Sequence, residues 1–286
     1  MTLYEEVRAA LRELAFRPKK SRGQNFLIHE RVIEAIVRLL DLHRSDEVLE
    51  IGPGLGFVTR RLLERAGKVR AVEVDAVLVE RLRRSELAAD SKLELVHGDI
   101  LTAPLADGLP KGKIKLAGNL PYSISTPVLF RIFEWREHFS TLVLMVQKEV
   151  ADRMAGAPGT KQYGSLSVWC QVHGRIIEKI PVSPEAFFPR PKVRSTVLKI
   201  ELFPEPLIGS AEWPALQSLV RAAFGQRRKT LGNALSAWLK GDRGAIEGFL
   251  RARGIDPRRR GETLSVDEFI KLARAARNES LLVTGN

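Results

Sequence analysis

Val48-Leu49-Glu50-Ile51-Gly52-Pro53-Gly54-Leu55-Gly56 is the stretch on which the fold turns. A short apolar strand, Val48–Ile51, runs into alternating glycines, and Phe57 to Arg65 then reads as a helix. Strand, glycine turn and helix open a βαβ unit. The same rhythm continues downstream. Val69–Val74 reads as a second strand, closed by Glu73 and Asp75, with a helix over Ala76 to Arg84. Leu93–Val96 is a third, followed by Gly98-Asp99. Ile114–Ala117 is a fourth, ending at Asn119, with a helix over Pro127–Trp135. Leu142–Val146 is a fifth, with a helix from about Lys148. This alternation predicts an α/β fold with a parallel, doubly wound sheet and helices on both faces. Ligands of such sheets bind beyond the carboxyl ends of the strands. The glycine loop, Glu73, Asp99 and Asn119 all fall there.

The flanking sequence changes character. Ser165–Val172 reads as a helix, and Ile176–Ile180 with Val197–Leu202 as a closing antiparallel pair. Near Pro204-Glu205-Pro206 the pattern shifts to helices alone, over Trp213 to Phe224, Leu231 to Leu239, Ala245 to Arg253 and Val266 to Arg277. The expected organisation is a larger domain over 1–203 and a smaller all-α domain over 204–286. Residues 1–18 form an amphipathic helical extension, with Leu3, Val7, Leu11 and Leu14 on one face. Thr2 with Glu5, and Ser265 with Glu268, have capping-box spacing.

Composition narrows the function classes. The chain has 286 residues, enough for a large domain and a small one. One cysteine, Cys170, excludes an internal disulfide and points to a reducing cytosol. No apolar run is long enough to cross a membrane, and the N-terminus lacks a signal-peptide core, so a cytoplasmic protein with no membrane partner is expected. The five histidines are scattered without ligand-like spacing, which argues against a metal. The net charge is +12, from 46 basic and 34 acidic residues. The basic residues cluster: Arg17, Lys19, Lys20 and Arg22; Arg227, Arg228 and Lys229; and Arg251, Arg253, Arg258, Arg259 and Arg260. Clustering favours a nucleic-acid partner over a merely soluble basic surface.

Four motifs carry candidate chemistry. The Gly52–Gly56 loop has G-x-G-x-G spacing with an acidic residue two before its first glycine, unlike the G-x-G-x-x-G of a dinucleotide pyrophosphate site. It suits a nucleoside amino acid. Glu73 can accept both ribose hydroxyls, and reads equally as a solvated strand-end charge. Asp99 can accept an adenine amine with Ile100 against the ring, or can simply form a turn. Asn119-Leu120-Pro121-Tyr122 is the most specific: a rigid turn with an amide and an aromatic face at a strand end. The Asn119 side-chain oxygen and the Leu120 carbonyl can hold the hydrogens of an exocyclic adenine amine, freeing its lone pair, while Tyr122 stacks on the base. In Phe187-Phe188-Pro189-Arg190-Pro191-Lys192-Val193, one phenylalanine is expected to close over the base and the other to be core.

Together these residues resemble the rRNA adenine N6,N6-dimethyltransferases, nearest the bacterial small-subunit (kasugamycin-resistance) branch. The matching segments run from residue 19 to about 275: Lys20 to Leu27, Glu50 to Gly56, Glu73-Val74-Asp75, Gly98-Asp99-Ile100, Asn119 to Tyr122, Tyr163 to Ser167, Phe187 to Val193, Gln226 to Leu231 and Leu264 to Phe269. The resemblance implies a Rossmann-like methyltransferase fold with S-adenosylmethionine as cofactor. It places Gln24, Asn25 and Leu27 near the cofactor, Gly52 and Gly54 at its amino-acid part, Glu73 at its ribose, Asp99 at its adenine, and Asn119 between cofactor and target, with Val74 and Ile100 counted among the cofactor-binding residues. It assigns Phe187 the stacking role. The implied partner is 16S rRNA in an immature small subunit, methylated twice on each of two adjacent adenosines of the 3′-terminal hairpin. Lys19, Lys20, Arg22, Arg227, Arg228 and Lys229 are the expected RNA-facing bases of a chain that acts as a monomer. Ser165 and Gly225 depart from the usual residues, and the segment before Lys19 lies outside the shared pattern. The erythromycin-resistance methylases of large-subunit rRNA share the catalytic motif; the Gln226 to Leu231 segment and the developed helical tail favour the small-subunit branch. A non-catalytic assembly or transcription factor is the alternative of another class.

Overall fold

The computed structural model describes residues 1–18, 23–105, 109–110, 114–122, 124–239 and 242–279. Its strands are β1 (Phe26–Leu27), β2 (Glu47–Ile51), β3 (Lys68–Glu73), β4 (Leu93–His97), β5 (Ile114–Asn119), β6 (Phe139–Gln147), β7 (Gly174–Val182), β8 (Phe187–Phe188) and β9 (Ser195–Leu202). Seven of them form one sheet in the order β4-β3-β2-β5-β6-β9-β7. The five that alternate with helices are mutually parallel, and β9 runs antiparallel to β6. Strands β1 and β8 form a separate antiparallel ribbon, with Phe26 opposite Phe188 and Leu27 opposite Phe187.

The run Val48, Leu49, Ile51 is continuous rather than alternating because β2 is covered on both faces, and all three side chains are buried. From β2 the chain moves outward through β3 to β4, then returns to β5 on the other side of β2. The connections from β2 and β5 therefore diverge, and a crevice opens at their carboxyl ends. The register sets Ile51 against Gly118, so the glycine loop and Asn119 leave the sheet side by side. Gly56 starts the helix Phe57–Leu63 at φ +88°, and a Cβ there would lie 2.7 Å from Leu82 Cδ2. Only glycine fits that turn.

The helices lie close to where periodicity places them. The extension is a helix over Leu3–Glu13 rather than 1–18: Ala15 takes φ +46° and the Phe16 N–H returns to the Leu11 carbonyl, closing the helix end. Both capping boxes form, at Thr2/Glu5 and at Ser265/Glu268. The helix expected over 231–239 is one α turn, Leu231–Ala234, followed by a 3₁₀ turn at Leu235–Ala237.

The chain divides into two compact units, Met1–Ala151 with Arg175–Pro204, and Asp152–Gly174 with Glu205–Asn286. Residues 152–174, which local pattern groups with the sheet, pack with the helices of the second unit. Tyr163, Val168 and Val172 join Leu216, Leu219 and Phe269 in one core. That placement is a tertiary contact, which the helical periodicity of Ser165–His173 does not report.

Candidate active site

The carboxyl ends of β2, β3 and β5, the loop after β4 and the segment leading into β1 enclose a cleft of about 1130 Å³, part of it open to solvent. Its walls include Gln24, Asn25 and Leu27, Gly52 and Gly54, Glu73 and Val74, Asp99 and Ile100, Asn119 and Pro121. Residues distant in sequence thus converge on one site. Gly54 takes φ +59°, and a Cβ there would come within 3.3 Å of the Phe26 ring, so a side chain would crowd the loop against β1.

Among the described residues, the Asn119 turn leaves two acceptors without a donor. Asn119 Nδ2 donates to the Asn25 carbonyl at 3.2 Å. A carbonyl can only accept, so this bond settles which end of the amide is nitrogen and leaves Oδ1 without a donor among the described residues. The Leu120 side chain is buried and its N–H donates to the Met145 carbonyl at 3.0 Å, extending the ladder one residue beyond β5. Its own carbonyl accepts no bond from the described residues. The Pro121 carbonyl is taken by Ser125 Oγ at 2.9 Å and by the Ile124 N–H. The Tyr122 hydroxyl shares a 2.7 Å hydrogen bond with Ser195 Oγ at the start of β9, which pins a half-buried ring. Burial pushes the Tyr122 phenol up from its ordinary value.

The acidic side of the cleft is more crowded than the sequence suggests. Glu73 Oε2 accepts the Gly54 N–H at 3.2 Å, and Oε1 accepts the Asp75 N–H at 2.9 Å. Each oxygen keeps a lone pair for a hydroxyl donor. Burial raises the Glu73 pKa, with a smaller push from the Asp75 charge; the backbone N–H groups of Asp75, Gly54 and Val74 oppose that rise. Behind it Glu50, buried, accepts Thr59 Oγ1 at 2.7 Å. Burial pushes Glu50 up to about 7 despite that bond, and the Glu73 charge adds to the rise. Asp75 accepts the Val77 N–H as an N-cap and Gln24 Nε2 at 3.2 Å through its other oxygen, tying the segment before β1 to the end of β3. Asp99 Oδ1 accepts the Leu101 N–H at 2.9 Å, so it forms the turn and lines the cleft at once. Val74 is 45% exposed and lines the rim of the cleft. Among the described residues no group of three or more His, Cys, Asp or Glu could hold a metal ion, and no helix is long and apolar enough to cross a membrane.

Residues 15–277 match the model of the ribosomal RNA adenine dimethylase family. The chain is 44% identical over 271 residues to the ribosomal RNA small subunit methyltransferase A of Geobacter metallireducens, covering 93% of this chain and 98% of that one. This chain belongs to the ribosomal RNA adenine dimethylase family. Two solved structures share the fold. A dimethyladenosine transferase from Plasmodium falciparum superposes with a TM-score of 0.78 at 24% identity, over 90% of this chain and 99% of that one. The 23S rRNA methyltransferase ErmE superposes with a TM-score of 0.67 at 27% identity, over 87% and 98%. The family's enzymes use S-adenosylmethionine and act on rRNA, and the cleft of this member fits such a cofactor on its own chemistry. It offers acceptors for hydroxyls at Glu73, a backbone cradle at Gly52 and Gly54, and apolar walls at Val74 and Ile100.

The structure departs from the sequence-based expectation at Phe187. Its side chain is 2% exposed, lies within the hydrophobic core and is absent from the cleft wall. Phe187 sits on the buried side of β8, opposite Leu27; with no open ring face it cannot stack on a base in this conformation. Phe188, on the other side of β8, is half-buried and packs edge-on against Tyr4 at 5.9 Å. The basic clusters also differ from one another. Lys19, Lys20 and Arg22 lie outside the described residues. Arg227 is a structural side chain: it pairs with Glu262 at 3.0 Å and donates to the Tyr163 and Lys161 carbonyls. Arg228 and Lys229 are exposed and pair with no described carboxylate. In the third cluster Arg253, Arg258 and Arg259 pair with Glu279, Asp256 and Glu268, and Arg251 shares Glu247 with Arg243. Sequence reasoning assigned no role to Glu50, Thr59 or Asp75. The signal for Glu50 was its place two before Gly52; nothing local marks the Asp75–Gln24 contact, which spans 51 residues.

Proposed function

We propose that this chain transfers methyl groups from S-adenosylmethionine to N6 of two adjacent adenosines in the 3′-terminal hairpin of 16S rRNA, dimethylating each. On this reading it acts as a cytoplasmic monomer on the immature small subunit. The observation that carries the reading is the Asn119 turn: an amide at the cleft wall whose nitrogen is tied to Asn25, with Oδ1 and the next carbonyl, that of Leu120, accepting no bond from the described residues. An exocyclic amine delocalises its lone pair into the ring. Holding both of its hydrogens on two acceptors lets the nitrogen become more tetrahedral and present that pair. Positioning then supplies most of the rate, with no titrating base needed for attack. When bound, S-adenosylmethionine supplies a methyl group on a cationic sulfonium. Gly52 and Gly54 would hold its amino-acid part with Gln24, Asn25 and Leu27 nearby. Glu73 would hold the ribose hydroxyls with Val74 beside them, and Asp99 with Ile100 the adenine. Tyr122, half-buried, fixed by Ser195 and next to Pro121 of the cleft wall though not part of that wall, would supply the face on which the target base stacks. Arg228 and Lys229, and the segment Lys19, Lys20 and Arg22, supply phosphate contacts.

The small-subunit target is supported by the similarity to the Geobacter protein, whose name specifies that subunit. The likeness to ErmE keeps large-subunit rRNA as the second reading. Incubating the protein with labelled cofactor and both subunits from a strain lacking the modification separates them. Label at two adjacent adenosines of the 16S 3′ hairpin is expected; label confined to 23S rRNA would replace the proposal. Asn119→Ala should lower methyl transfer at least about 100-fold, as loss of an oriented donor or acceptor at a reacting centre does. RNA affinity should be retained in that variant. Equal loss of both would remove Asn119 from the reacting centre.

A further inference from the structure

The helix Leu3–Glu13 and the residues after it carry an arginine surface with no role in the cleft. Arg8 and Arg12 are four residues apart and share a face, and Arg17 follows past the helix end. All three are exposed and line one groove together with Phe16 and Phe188, a groove whose walls contain no carboxylate. None of the three makes an ion pair with a described residue. That sets them apart within their own unit, where Arg61, Arg84 and Arg131 are balanced by Glu64, Glu80 and Glu134. The acids of the same helix are occupied elsewhere. Glu5 accepts the Thr2 N–H in the capping box, Glu6 lines a different groove with Arg60 and Arg61, and the Glu13 charge acts on Arg81.

A chain of packed rings links this surface to the candidate active site. Arg8 lies over the Tyr4 ring at 5.6 Å, and Tyr4 meets Phe188 edge-on at 5.9 Å. Phe188 pairs with Phe26 across the β1–β8 ribbon. The Phe26 ring abuts Gly54 of the cofactor-side loop, and its neighbour Asn25 holds the Asn119 amide. Unpaired arginines beside a half-buried aromatic are what a single-stranded polyanion with flat bases requires. An anionic membrane would need an apolar face to insert, and the apolar face of this helix (Leu3, Val7, Leu11) is buried in the core.

We propose that Arg8, Arg12 and Arg17, with Phe188, form an RNA-backbone site that holds the strand flanking the target adenosines as it leaves the cleft. The site rests on the reading that rRNA is the substrate. On it, the N-terminal helix is part of the substrate-binding surface and not only a packing element.

The test is the salt dependence of binding to unmethylated small subunits for the full chain and for the R8Q/R12Q/R17Q variant. A control variant, R61Q/R84Q/R131Q, removes the same charge from arginines that are already paired. Each contacted phosphate contributes about 0.7–0.9 to the slope of log affinity against log salt, so the first variant should bind with a slope shallower by roughly 2–3. The control should keep the parent slope. Cofactor affinity by calorimetry should match the parent in the first variant, and the thermal midpoint should stay close to it, because its side chains are exposed and make no ion pair with a described residue; Arg8 gives up only an exposed bond to the Tyr4 hydroxyl. An unchanged slope in R8Q/R12Q/R17Q, while the parent binds and methylates the subunit, overturns the site and leaves the methyltransferase reading standing. Equal flattening in the control also overturns it, since net charge alone would then explain the effect. If the parent neither binds nor methylates small-subunit rRNA, the functional reading falls and the site with it.

Discussion

Glu50 offers a quantitative check on the electrostatics of the cleft. Its carboxyl is buried behind the glycine loop, accepts one bond from Thr59, and sits near the Glu73 charge. Burial outweighs the Thr59 bond and moves its pKa from 4.5 to about 7. A carboxyl whose folded pKa is raised holds its proton longer in the native state than in the unfolded one. Below pH 4.5 both states are protonated and the group contributes no pH dependence. Between 4.5 and about 7 only the native state keeps the proton, so stability falls as pH rises. Above about 7 both states are ionised and the loss is constant. At 1.36 kcal/mol per pKa unit the plateau is about 3 kcal/mol. Glu50→Gln keeps an acceptor for Thr59 Oγ1 and removes the ionisation. The variant should therefore exceed the parent by less than about 1 kcal/mol near pH 5 and by up to about 3 kcal/mol at pH 8.5, worth about 5–10 °C in the midpoint of the first unit. Scanning calorimetry without cofactor at the two pH values measures this. Other groups titrate in the same window but cancel in the difference between the proteins. A parent–variant gap that is equal at both pH values, or larger at pH 5, would refute an ionised, buried Glu50.

Glu73→Gln should weaken S-adenosylmethionine by roughly 10- to 100-fold in calorimetry, since one charged acceptor is worth about 1.5–3 kcal/mol; an unchanged dissociation constant would remove Glu73 from the cofactor site. The two halves of the Arg227–Lys229 cluster should separate. Arg227→Ala loses its bonds to Glu262 and to the Tyr163 carbonyl and should cost about 1–2 kcal/mol of stability in thermal melts. Arg228→Ala with Lys229→Ala should leave the melt alone and flatten the salt dependence of RNA binding by about 1–2 in slope. The reverse pattern would make Arg227 the RNA contact and Arg228 and Lys229 the structural side chains of this turn.

Much of the site was legible locally. Strand ends are written in the sequence as apolar runs that stop, and a doubly wound sheet gathers those ends on one edge; this is why Gly52, Gly54, Glu73, Asp99 and Asn119 group together from the sequence alone. Three features were not legible. The side of β8 on which Phe187 and Phe188 point depends on its pairing with β1, a ribbon only two residues long, and a one-residue change of register would exchange them. The pairing of the third basic cluster depends partly on i,i+4 pairs such as Arg251 with Glu247, which a helix supplies, and partly on the long-range pair Arg259–Glu268. The crowding of Glu50 and Glu73 depends on how deep the loop sits, which is a property of the packed sheet.

By itself the chain's order of residues determined the element types, their sequence, the glycine loop and the Asn119 turn, because periodicity and turn chemistry act over a few residues. The tertiary structure decided which acceptors are free, which phenylalanine is covered, which arginines keep an unbalanced charge, and that residues 152–174 pack with the second unit. Each of these is a competition among partners far apart in the chain. The outcome is set by burial and by hydrogen-bond capacity, quantities that exist only once the partners have met.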